Sequence, residues 1–169
     1  MTTAAKIDPH THETYSPIDF RERVHALVGG TTYREPVGGH STSGGKRIPT
    51  PQMVAATLAC ARQGANDIGP DIAMDIATGS TGHYAKVCEW MGRELARDRG
   101  ANVARSKAHL GLIAVVGYRC LVLGEQAPPA PLGCRTSDWG ELVIYVIVRL
   151  QNEAENALAC ARRKWRGGA

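Results

Sequence analysis

Asp71 and Asp75 lie four residues apart, the spacing that places two carboxylates on one helix face, where they can exchange a proton with a reacting group. A solvated helix face accounts for the pair more simply. His83 and Cys88 are five apart, whereas structural zinc sites are built from closer Cys or His pairs. The other thiols, Cys60, Cys120, Cys134 and Cys160, are widely spaced and set mostly among apolar residues. They read as buried thiols, with no disulfide framework and no nucleophile beside its base. Spacing alone therefore defines no catalytic set, no metal site and no cofactor site, and the chain reads as a non-enzyme.

Cationic residues gather in two places. Arg93, Arg97, Arg99, Arg105 and Lys107 surround the turn at Gly100, with Glu94 and Asp98 as local counter-charges. Arg162, Arg163, Lys164 and Arg166 crowd the last helical turn beside Trp165. Positive side chains at a helix C-terminus complement its dipole by about 0.3 to 1 kcal/mol each. The same groups suit phosphates, with Trp165 or Tyr118 for stacking. Such contacts hold a protein on nucleic acid without reading its sequence. These two clusters are the candidate nucleic-acid-binding residues.

Two further segments invite chemistry and fail on context. The run Gly38-Gly39-His40-Ser41-Thr42-Ser43-Gly44-Gly45-Lys46-Arg47 has the glycines and lysine of a phosphate loop. His40 stands where the leading glycine belongs, Arg47 replaces the magnesium-binding hydroxyl, and Ile48-Pro49 follows instead of a helix. The segment Asp8-Pro9-His10-Thr11-His12 resembles the His-x-His opening of amidohydrolases. Those enzymes close a barrel of roughly 250 residues with alternating strands and helices. Nothing after His12 follows that pattern.

The 169 residues suffice for one domain with a real core, and 43% hydrophobic against 21% charged residues is the balance of a globular protein. A single Phe among many Ala predicts helices that approach across small side chains. The longest apolar stretch, Leu110 to Leu123, is interrupted by Gly117 and Arg119 and is too short to span a bilayer comfortably. With no hydrophobic leader and no disulfide pattern, a cytoplasmic chain without membrane contact is expected. A net charge of +4 permits acidic partners without requiring them.

The elements that would carry these residues are helical. Residues 1–15 are polar and aperiodic, an extended arm. Residues 16–49 hold a short helix, opened by Ser16-Pro17-Ile18-Asp19 and closed at Gly29-Gly30, followed by a Gly-rich linker. Residues 50–166 form the core domain. There Thr50-Pro51 starts a helix passing Arg62 and stopping at Gly64, Pro70 starts one ending at Gly79, and Ser80 or Thr81 caps one closed by Gly100. A fifth helix runs from about Asn102 to Leu123, with Ala104, Ala108, Gly111 and Ala114 as a stripe of small residues. Gly111 and Gly117 each cost roughly 1 kcal/mol there, which tight packing would offset.

The run Val143 to Val148 suits a buried strand as well as a buried helix. The capping-box pair Asp138 and Glu141, and the absence of a breaker before Gly167, select a helix. Trp139, Val143, Val146, Leu150, Ala154, Ala157, Ala161 and Trp165 form its inner face. Leu142, Ile144, Tyr145 and Ile147 widen the apolar surface, so neighbours or a second copy should enclose it. The two long helices are expected to pack antiparallel as the core.

The fold class expected is thus all-α, a compact bundle of five or six helices with an extended N-terminal arm and a Gly-rich loop. The expected function is a non-enzymatic cytoplasmic regulator that docks on nucleic acid, or on a nucleic-acid-handling complex, through basic helix ends. Its size and irregular basic surface would suit a phage or mobile element. The competing class is a protein-binding adaptor or inhibitor without nucleic-acid contact. Residues 139–150 are the candidate homodimer surface.

Overall fold

The computed structural model describes residues 17–30, 50–64, 67–98 and 107–167. They form six helices and no strand: α1 (Pro17–Gly30), α2 (Pro51–Ala59), α3 (Gly69–Thr78), α4 (Tyr84–Asp98), α5 (Lys107–Leu123) and α6 (Thr136–Gly167). The all-α bundle expected from periodicity is the observed fold. The N-terminal arm and the Gly-rich loop lie outside the described residues.

Local chemistry fixes the first three helix starts. Pro17, Pro51 and Pro70 occupy opening positions where a missing N–H costs nothing. The Thr50 hydroxyl accepts a hydrogen bond from the Met53 amide at 3.3 Å. Gly79 ends α3 at φ 66°, a left-handed value that glycine adopts without strain.

Three boundaries differ from expectation. α2 stops at Ala59, because the amides of Ala61 and Arg62 turn back onto the carbonyls of Leu58 and Ala59. α4 begins at Tyr84 and not directly after a Ser80 or Thr81 cap: the Ser80 hydroxyl is engaged by Asp75, and the Val87 amide bonds to the His83 carbonyl. α6 begins at Thr136, with the Trp139 amide bonded to the Arg135 carbonyl. Asp138 is therefore inside the first turn, and the expected Asp138–Glu141 capping box does not form. The Asp138 carboxylate still favours the positive helix end, and accepts from the Ser137 hydroxyl.

α6 is the spine. Trp139, Val143, Val146, Leu150, Ala154, Ala157 and Ala161 are all buried along it. The β-branched run is helical, and Leu142 is buried too, but Ile144 is 52% exposed. The first half of α6 packs on α5, and the second half on α3. At Gly69 an added Cβ would meet the Glu153 carbonyl oxygen at 2.5 Å, so α3 begins almost against the α6 backbone.

α5 and α6 do not run antiparallel. His109 lies beside Cys134 and Gly117 lies beside Val143 and Val146, so the pairings advance together along both helices. The connecting loop makes this possible. Residues 124–135, about twelve in extended form, reach roughly 40 Å, more than the ~25 Å length of the 17-residue α5. Trp139 pins the returning loop by donating from Nε1 to the Pro128 carbonyl at 2.9 Å.

The small-residue stripe on α5 needs correction at Gly111, where an added Cβ would meet open space and no described helix approaches. Ala114 is fully buried, and Ala104 and the Ala108 side chain lie outside the described residues. The close approach is at Gly117, where an added Cβ would overlap Val146. No helix of the described residues is long and apolar enough to cross a membrane.

Candidate functional site

The most elaborate polar structure in the bundle is centred on α3. This helix is apolar around most of its circumference, with Ile72, Ala73, Ile76 and Ala77 all buried. A helix enclosed on every side takes its polar residues inside with it. Asp71 and Asp75 are accordingly 4% and 0% exposed, which overturns the solvated face expected from their spacing.

Each carboxylate is fully engaged. Asp75 accepts from the Tyr118 hydroxyl of α5 at 2.7 Å, the Ser80 hydroxyl at 3.0 Å and the His83 amide at 3.1 Å, and its Oδ1 lies 2.9 Å from His83 Nδ1. Asp71 takes Arg62 Nη2 and Lys86 Nζ, both at 2.5 Å. His83 Nε2 stands 3.7 Å from Asp71, so the imidazole spans the two acids. Burial pushes the Asp71 carboxyl upward, but the hydrogen bonds from Lys86 and Arg62 and their charge outweigh it and hold the group below its ordinary value. Burial, then the Asp75 hydrogen bond, drives the Tyr118 phenol strongly upward. Tyr118 is wholly buried, so it is a brace and not the stacking platform expected of it.

Chemically, this node brings an imidazole and a serine hydroxyl onto one buried carboxylate and two cations onto the other. The one hydroxyl nucleophile it holds at the surface, Ser80, spends its proton on Asp75 at 3.0 Å and has no hydrogen bond to His83 among the described residues. Two surface depressions lie elsewhere, and no described group of three His, Cys, Asp or Glu side chains is arranged to hold a metal. Cys88 is not drawn into it as a thiolate, because burial pushes its thiol up to about 11. Cys60, expected to be buried, is exposed at the end of α2.

The two basic clusters separate clearly. Near the end of α4, Arg93 pairs with Glu89 at 3.6 Å, and Arg97 pairs with Glu94 and with Asp98. Arg149 of α6 adds a further cation there, set over the Trp90 ring and paired with Glu153 and Glu94. A depression of about 400 Å³ between Arg97, Tyr145, Arg149 and Asn152 is thus charge-matched. Arg99 and Arg105 lie outside the described residues, and Lys107 is described only as backbone in α5.

At the end of α6 the described cations have no acid partner among the described residues. Arg163 and Lys164 are exposed and Arg162 half-buried, and none makes an ion pair with a described residue. Lys164 Nζ donates to the Cys60 carbonyl at 2.6 Å, tying the end of α6 to that of α2. Trp165 and Arg166 continue the helix, but their side chains lie outside the described residues. Sequence reading missed two members of this region, Arg62 and Lys86. Arg62 follows Cys60 by two residues, and both cations lean on the single buried carboxylate of Asp71 while remaining partly exposed. A depression of about 250 Å³ separates Gln63 and Asp67 from Cys160 and Arg163.

The chain matches no protein-family model, no curated protein and no solved structure.

Proposed function

We propose that this chain is a non-enzymatic docking protein that holds phosphate groups of nucleic acid, or of a complex handling nucleic acid, at the joined ends of α2 and α6. The observation that carries the reading is the exposed pair Arg163 and Lys164, without an acid partner among the described residues. Arg62 and Lys86 extend the positive surface, sharing one buried acid between them. Arg93 and Arg97 do not share an acid in this way, each having carboxylates of its own in Glu89, Glu94 and Asp98, and are the weaker candidates.

The test is anisotropy titration of labelled duplex and single-stranded oligonucleotides across a salt series. Binding at low salt should fall steeply between about 50 and 200 mM, and Arg162→Ala, Arg163→Ala and Lys164→Ala together should flatten the log–log slope by about 0.9 for each duplex phosphate no longer neutralised. Arg93→Ala with Arg97→Ala should leave the slope in place. No binding at low salt, or binding indifferent to salt, removes the reading.

The adaptor reading has one observation in its favour, the exposed apolar side chains Leu132, at 100%, and Ile144. A homodimer through residues 139–150 would cover Ile144. Sedimentation of wild type against Ile144→Glu tests it, with a lighter variant expected and an unchanged mass refuting the dimer.

A further inference from the structure

The loop before α6 brings Cys134 to the first turns of α5. Its sulfur lies 3.7 Å from His109 Nδ1, and both side chains are half-buried. A turn holds it there: the Cys134 amide donates to the Pro131 carbonyl at 3.0 Å, and Gly133 takes φ 88°, which only glycine adopts freely. Two residues later α6 begins, so the sulfur also sits near the positive end of a 32-residue helix dipole. Charged residues with described side chains along these elements are Arg135, Asp138 and Glu141 on the α6 side, all three exposed.

The other thiols are placed differently. Burial raises Cys88 and Cys120. Cys160 is buried and receives a hydrogen bond from Gln63. Cys60 is exposed, with no histidine partner among the described residues. Among the described residues, Cys134 is the thiol that combines partial access with a histidine beside it.

We propose that Cys134 and His109 form a base-assisted nucleophile, and that Cys134 is where this chain takes up a soft electrophile, by class a low-molecular-weight disulfide. As the sulfur attacks one sulfur of the reagent, His109 Nδ1 accepts the thiol proton. A new S–S bond forms to Cys134 and the reagent's own S–S bond breaks. The departing thiolate leaves with the bonding pair and collects the proton from His109. Cys134 is oxidised, the departing sulfur is reduced, and no further oxidant is required.

The experiment treats the full chain with glutathione disulfide and follows each cysteine by peptide mass mapping from pH 6 to pH 9. Cys134 should react about ten-fold faster than Cys60 at pH 7, and the gap should narrow towards pH 9, where hydroxide deprotonates any accessible thiol. His109→Gln should bring Cys134 down to the Cys60 rate while leaving Cys60 itself unchanged. Equal rates for Cys134 and Cys60 in the wild type at pH 7 overturn the proposal without recourse to any variant. So does an undiminished Cys134 rate in a His109→Gln protein that still shields Cys88.

Discussion

Gly117 and Val146 are packed so closely that a single added carbon on Gly117 would overlap the Val146 side chain, with the Val143 carbonyl oxygen 3.5 Å away. This approach sets how closely α5 can lie against the first half of α6, and it explains why a helix tolerates a glycine in its interior.

Gly117→Ala should therefore destabilise the bundle by about 1–3 kcal/mol through overpacking. Gly111→Ala, facing open space on the same helix, should instead stabilise by about 0.5–1 kcal/mol. Urea midpoints at constant slope would show opposite shifts, and Val146→Ala in the Gly117→Ala background should recover part of the stability.

Asp75 ties the turn after α3 to α5 through Ser80, His83 and Tyr118. Tyr118→Phe should cost about 1.5–3 kcal/mol, the range for a hydrogen bond to a charged group. Asp75→Asn should cost about 3 kcal/mol or more, since it leaves buried donors facing an amide. The two effects should not add in the double variant; strict additivity would mean that Tyr118 and Asp75 act independently.

Asp71 gives the fold an acid-sensitive component. Its carboxyl is lowered from 3.8 in the folded chain, so its contribution is fully present above that value and is lost as pH falls through the folded value. The stability difference between wild type and Asp71→Asn should stay level from neutrality down to about pH 4 and shrink below it. Lys86→Met should move the shrinkage to higher pH, because burial would then be opposed by Arg62 alone. A difference independent of pH would show that Asp71 is not ionised in its pocket.

Much of the fold was legible because helix starts are local. Pro17, Pro51 and Pro70 with Gly79 mark boundaries by backbone chemistry that needs no tertiary partner. The α3 node was not, because the same Asp-x-x-x-Asp spacing fits a solvated face and a buried one. A signal did exist. Ile72, Ala73, Ile76 and Ala77 leave α3 little polar surface, so its acids had to enter the core and find cations there. The direction of α5 against α6 depended on the reach of a proline-rich loop, and the pairing of Cys134 with His109 follows from that direction. Arg62 and Lys86 belong to the basic end only through Asp71, a link invisible to a search for runs of charge.

The length of α6 keeps its two ends apart. Thirty-two residues span about 48 Å, with Cys134 just before the first turn and Arg163 and Lys164 near the last. No small molecule can bridge that interval. If both proposals hold, a small disulfide at Cys134 would not meet a phosphate group held at Arg163 and Lys164, and each could be tested without disturbing the other.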